Sequence, residues 1–300
     1  MAQTDRPRPA AAPRPPVLTG LLWMGGCLAS FIGMALASRE LADTLSILEI
    51  LLLRSLVGLA VVAALLPRLW PELRQLRDLG LHAARNAVHF IGQYCWTLGV
   101  ALLPLAQVFA LEFTMPIWVA LFARVALGER VTRARMAAIA ASFLGVLLVV
   151  QPGSAGFSPA ALIVLLAAAG YGASAVMVKR LTLRSSSAII VVWMVIMQLP
   201  LSLAMTWAAG GWVAPAWADL PWILVIGITA LSAHYTMAQA LRLMDASVAI
   251  PIDFLRVPLI AVIGSLLYGE PISAAVFAGA AVIFGANYLA MRAELRRRPG

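Results

Sequence analysis

Charge is what this chain lacks most. Only 12% of its 300 residues are Asp, Glu, Lys or Arg, against 62% hydrophobic ones, and the mean hydropathy is +0.93. A soluble domain carries about 25% charged residues, so this chain has too little polar surface to dissolve. Cysteine is nearly absent as well. Cys27 and Cys95 both fall inside apolar stretches, where neither spacing nor position suggests a disulfide or a metal site, and each reads as a small packed hydrophobe. The chain has three histidines and no H-E-x-x-H pairing, which removes the metalloprotease signature. No basic stripe interleaved with aromatics accompanies the formal net charge of +9, so no nucleic-acid partner is implied. Neither a metal nor another cofactor is called for.

What the chain has instead is a series of apolar stretches, at about 17–37, 45–66, 80–100, 104–126, 134–150, 158–178, 187–208, 221–241, 247–268 and 274–291. Each is long enough as a helix to cross about 30 Å of hydrocarbon. Most connections are shorter than about a dozen residues, so a single all-α membrane domain with ten transmembrane helices is expected. The start needs separate treatment. Arg6, Arg8 and Arg14 followed by an apolar run ending in Ala35-Leu36-Ala37 resemble a signal peptide. Residues 21–39 have an internal copy, however, which cleavage would discard, so the first stretch reads as a retained span. Residues 1–16, rich in Pro, Ala and Arg, read as a disordered cytoplasmic tail, and 293–300 as a basic one.

The internal copy extends along the whole chain. A shift of 141 places Tyr94 on Tyr235, Glu112 on Asp253, Phe113 on Phe254, Gly128-Glu129 on Gly269-Glu270 and Phe143 on Phe284. Nearer the start a shift of 140 places Ala29 on Ala169, Phe31 on Tyr171, Arg39 on Lys179 and Ser46 on Ser186. The expected units are 17–150 and 151–292. Five spans per unit is an odd number, so the second unit must enter the membrane from the opposite side. Charge tests this, because cytoplasmic connections keep Lys and Arg. Arg130, Arg133 and Arg135 follow the fourth span, and their mates are Pro271, Ala274 and Val276. Lys179, Arg180 and Arg184 follow the sixth, whereas the matching first connection sets Arg39 against Glu40 and Asp43. With both termini inside, the cytoplasmic side also collects Arg68, Arg74, Arg77, Arg85, Arg124, Arg242, Arg292 and Arg296 to Arg298. Two inverted five-helix repeats are a common plan of secondary transporters, with the cargo site between the repeats near the midplane.

At this point the motifs resemble a family. Glu49-x4-Arg54 comes first, then Leu103-Pro104-Leu105-Ala106 and Phe113-Thr114-Met115-Pro116. Leu127-Gly128-Glu129, Gly145-Val146-Leu147-Leu148 and Tyr268-Gly269-Glu270 follow in order. Together, from about residue 17 to 292, they are similar to the drug/metabolite transporter superfamily, specifically its ten-helix EamA-type members. The stretch Pro251-Ile252-Asp253-Phe254-Leu255-Arg256 looks like a subgroup pattern. The resemblance implies alternating-access movement of an organic solute (amino acid, nucleoside, vitamin or drug-like) through a central cavity between the halves.

Charges within a bilayer are costly and tend to face a cavity or a partner. Five are expected here: Glu49, Arg54, Glu112, Asp253 and Arg256. As repeat mates, Glu112 and Asp253 are the first candidates to contact a cationic or polar cargo group or to carry a coupling proton. The plainer alternative is that each neutralises an arginine, and Asp253 and Arg256 share a helix face at i,i+3. Glu49 and Arg54 stand about 140° apart around a helix, so they should reach other helices as structural charges. The third span carries a polar stripe, Asn86, His89, Gln93 and Trp96, expected to line the cavity or another helix. A weaker one, Ser232, Tyr235, Gln239 and Arg242, lies on the eighth. Tyr171 and Tyr235 suit stacking against flat cargo, or plain helix packing. Pro116, Pro251 and Pro258 predict kinks near the acidic residues. Trp70, Trp207, Trp212, Trp217 and Trp222 fall at span ends, as an interfacial belt requires. Ala137, Ala141 and Gly145 form a small-residue ridge for tight helix packing, within the chain or between two protomers.

The expected function is therefore that of a secondary transporter of a small organic metabolite in a bacterial inner membrane. A channel, or an intramembrane enzyme without a recognisable catalytic motif, is the alternative reading.

Overall fold

The computed structural model describes residues 17–75, 77–128, 132–153, 157–244 and 246–296. The expected N-terminal tail, Glu129, Arg130, Arg297 and Arg298 lie outside the described residues. Twelve helices, no strand and one short 3-10 turn (Trp217–Asp219) occur among the described residues. The first repeat holds α1 (Val17–Leu41), α2 (Ile47–Leu73), α3 (Leu79–Leu102), α4 (Leu105–Glu112), α5 (Met115–Leu127) and α6 (Arg133–Val150). The second holds α7 (Ala160–Leu181), α8 (Ser187–Ala208), α9 (Leu220–Leu243), α10 (Ala246–Asp253), α11 (Arg256–Tyr268) and α12 (Ala274–Leu295). Helices α4 and α5 form one broken span, as do α10 and α11, which makes ten crossing units. Nine are apolar enough by composition among the described residues, and α3, interrupted by its polar stripe, is the tenth.

The repeat is visible in the backbone. Moved by 141 residues, α3, α4 and α5 fall end for end on α9, α10 and α11. Gly128 and Gly269 close α5 and α11 with φ of 68° and 65°, a left-handed cap that glycine adopts without a Cβ clash. Ser46 and Ser186 open α2 and α8 in the same extended conformation, each accepting a backbone N–H three residues on. The chain is an all-α membrane protein of two inverted five-helix repeats.

The two breaks fall at Phe113–Thr114 and Phe254–Leu255. The expected kink sites, Pro116 and Pro258, sit instead in the first turn after each break, where a missing N–H leaves no helical bond unmade. Pro251 lies within α10.

Packing follows the two-fold relation. α1 runs along α9 and α3 along α7, while α2 meets α8 and α6 meets α12. The small-residue ridge on α6 is corrected in register. Ala137 is exposed, and the buried face is Ala138, Ser142, Gly145 and Val149. A Cβ on Gly145 would stand 2.7 Å from the Gly279 carbonyl, so the two backbones touch within one chain. The main core cluster joins α3, α4, α6, α7 and α12 around Phe109.

The two ends of the bundle differ. At one end α4 packs on α11, and side chains tie the repeats together. Arg39 pairs with Glu270 at 3.0 Å and donates to the Leu103 carbonyl. Glu270 accepts the Leu105 N–H at the start of α4 (2.8 Å), and Tyr268 donates to Glu40 (2.7 Å). At the other end the mates α5 and α10 make no comparable contact among the described residues. That end carries exposed basic residues: Arg180 donates to the Ala126 carbonyl, and Arg184 meets Asp78 at 3.5 Å.

Candidate functional site

The two breaks bring the repeat-related acids together. Glu112 ends α4 and Asp253 ends α10, and Arg256, the first residue of α11, reaches both. Its guanidinium lies 2.7 Å from Asp253 Oδ2 and 3.5 Å from Glu112 Oε1, and its Nε donates to the Asp253 carbonyl freed by the break (3.3 Å). Glu112 also accepts the Trp96 indole N–H at 2.8 Å. One arginine thus serves two carboxylates. Asp253 Oδ1 is buried without a hydrogen-bond partner. Aromatic rings close over the cation: its centre is 4.1 Å from the Phe31 centroid and 5.0 Å from that of Phe113. Asn287 of α12 donates to the Phe113 carbonyl (3.3 Å), satisfying the break in the first repeat.

The α3 stripe mostly faces other helices. Asn86 donates to the Trp193 carbonyl of α8, and His89 meets Gln198 of α8 at 3.3 Å. Asn86, His89, Gln93 and Trp96 are all buried. Tyr171 of α7 sets its ring 5.3 Å from that of His89 and keeps partial exposure. Gly92 makes room for it, since a Cβ there would stand 3.1 Å from the Tyr171 ring. His234 of α9 lies edge-on to Phe31 at 6.3 Å and is accessible although helices surround it. The repeat mates Phe31 and Tyr171 thus both border the centre.

Several expectations need correction. Tyr235 is 57% exposed and packs edge-on against Trp23 of α1 rather than against the α3 stripe or Arg256. Ser232, from the same weak stripe, bonds Ser30 of α1 at 2.8 Å and is a helix-packing contact. Glu49 does not look for an arginine on another helix. It closes the capping box of α2 with Ser46 and accepts the Val213 N–H, holding the α8–α9 connection. Arg85, assigned by sequence to the loop side, is 7% exposed within the bundle, where it donates to Asn86 Oδ1 at 2.8 Å. Its place one turn before His89 was the signal for this. Asn287, an isolated amide in the last apolar span, was another. Arg54 has no hydrogen bond or ion pair among the described residues. Its electrostatic neighbours are Tyr171, His89 and His234 rather than a carboxylate.

The centre therefore has two halves. One is an ion-paired knot with aromatic walls. The other is polar and aromatic, with Arg54 and Arg85, which form no ion pair with an acid among the described residues. The asymmetry originates in α3 and α9: the mates of Arg85, Asn86 and His89 are Ile226, Gly227 and Ala230, and only Gln93 has a polar mate, His234. This set of side chains offers rings for stacking and N–H donors for directed hydrogen bonds, the chemistry that holds flat organic molecules.

Comparison with known proteins agrees with this plan. A riboflavin transporter of Rhizobium johnstonii is 36% identical over 216 residues, spanning 72% of this chain and 71% of the relative. A riboflavin transporter of Brucella anthropi is 31% identical over 79% of this chain and 85% of its own. An S-adenosylmethionine uptake transporter of Rickettsia prowazekii is 22% identical over 71% and 72%. A crystal structure with 20% identity overlays at a TM-score of 0.60 over 94% of this chain and 99% of its own, which speaks to the fold alone. The profile of the EamA-like transporter family matches twice, at residues 18–151 and 158–292, one match for each structural repeat. These matches and the paired breaks make the chain a member of the EamA-like transporter family, a transporter of small metabolites.

Proposed function

We propose that the protein carries riboflavin, or a flavin close to it, across the cytoplasmic membrane by alternating access between its two repeats. The observation that carries this reading is the engagement of both intramembrane acids by Arg256. A cargo bearing a fixed positive charge, as S-adenosylmethionine does at sulfur, would meet carboxylates already engaged by Arg256 and two arginines that form no ion pair among the described residues. An uncharged flat ring with hydrogen-bonding edges suits the same side chains, and two of the relatives above are named riboflavin transporters. Alternating access is supported by the unequal ends. The end with Arg39–Glu270 and α4 on α11 is the closed one, and the basic end, where Arg180, Arg184 and Ser186 also bond the first repeat, lacks the matching α5–α10 contact. By the distribution of arginines the basic end is cytoplasmic, with both termini on that side. The two carboxylates that share one guanidinium, with Asp253 Oδ1 unpaired, suit a coupling proton.

The test is flux into proteoliposomes. Saturable riboflavin movement that shows counterflow and rejects S-adenosylmethionine is expected. The reading fails if S-adenosylmethionine moves and riboflavin does not.

A further inference from the structure

Arg54 is the intramembrane arginine that the site leaves without any bond among the described residues, since Arg85 has Asn86. It lies in the second turn of α2, inside the span Ile47–Leu73, and its side chain is neither fully buried nor bonded to any described residue. A cation inside a membrane span is costly, and a structural arginine would offset that cost with a carboxylate or carbonyl, as Arg256 and Arg39 do here. The carboxylates of this region are engaged by Arg256. The groups in its electrostatic reach are Tyr171, whose partly exposed ring lies 5.3 Å from that of His89 and is seated against α3 by Gly92, and the accessible His234. Five N–H donors in a flat fork, without an acceptor, are left for a ligand in the region these rings border.

The geometry points to Arg54 as the residue that grips the cargo, donating both arms of its fork to a carbonyl oxygen and the adjacent ring nitrogen of a planar heterocycle that stacks on Tyr171. This rests on the flavin reading and sharpens it. A flavin presents that pair of acceptors twice, at C4=O with N5 and at C2=O with N1, in the arrangement through which a guanidinium reads O6 and N7 of guanine. The ribityl chain is left free of this contact, so side-chain analogues of the vitamin are tolerated where ring analogues are not.

The test is equilibrium binding to the purified full-length protein, read by quenching of flavin fluorescence, with riboflavin, 5-deazariboflavin and 1-deazariboflavin as probes. Each deaza compound replaces one of the two ring-nitrogen acceptors with C–H. Wild-type protein should bind one of the two about tenfold or more weakly than riboflavin, the size of one lost bidentate contact. R54Q should bind all three weakly and nearly equally, with R54K intermediate, while the melting temperature without ligand stays close to wild type. If R54Q does not fold, the wild-type series with the two deaza compounds still decides. Equal wild-type affinity for all three probes overturns the inference, as does R54Q that binds riboflavin like wild type, and in both cases the flavin reading stands. No riboflavin binding by the wild-type protein overturns the flavin reading itself.

Discussion

The chain breaks its membrane helices twice, at places related by the repeat, and only one break has a cation of its own. In the second repeat Arg256 begins the helix after the break, whereas its mate in the first repeat is Met115. The backbone barely registers the difference: α4 and α10 have eight residues each, and α5 and α11 thirteen. The chemistry registers it fully. The second repeat supplies Arg256 to the acids of both halves and Asn287 to the freed carbonyl of the first. A duplicated scaffold has thus been furnished from one side, and a two-fold frame encloses a site without two-fold symmetry.

Changes that remove the furnishing should separate the halves, with the largest effect at the cation. R256Q leaves Glu112 and Asp253 facing each other without a counter-charge. Loss of one partner of a buried ion pair costs about 3–5 kcal/mol, so we expect a strongly lowered melting temperature in detergent and no flux. Next come the acids themselves. D253N gives up the 2.7 Å charge-assisted bond and should cost about 1.5–3 kcal/mol. E112Q gives up only the 3.5 Å contact and can keep the Trp96 bond. It should melt near wild type yet transport markedly less. Equal melting of the two variants would mean that Arg256 serves both acids alike and would break the comparison. N287A uncaps the Phe113 carbonyl and should cost about 0.6–1 kcal/mol, with flux affected less than in E112Q. Y235F alters an exposed ring packed on Trp23 and should stay within about 0.5 kcal/mol, with unchanged flux. A transport defect in Y235F would place that residue in the site.

The fold was legible because its causes are local and periodic. Apolar stretches of membrane length define the spans, and the ordered coincidences from Ser46/Ser186 to Phe143/Phe284 define the repeat. The breaks were only half legible. Neither Phe113–Thr114 nor Phe254–Leu255 contains a glycine or proline, and the prolines that betray them lie just downstream. The site was least legible, since pairing across helices has no spacing in the chain. The i,i+3 pair of Asp253 and Arg256 was readable, but the partner of Glu112 lies 144 residues on. Glu49 misled for the opposite reason: a charge next to an apolar run looks intramembrane, yet Ser46 three residues before it marks a cap.

The contact of Gly145 with Gly279 has a mechanical consequence. Where two backbones touch, no side chain can yield, and the helices cannot part without opening a void to the lipid. The rocking proposed above for the two halves would turn about the α6–α12 seam as an axle. Travel grows with distance from an axle, so a rotation barely felt at the glycines would become a stroke at the far helices. Under that proposal the smallest side chains in the molecule would set the leverage of the motion.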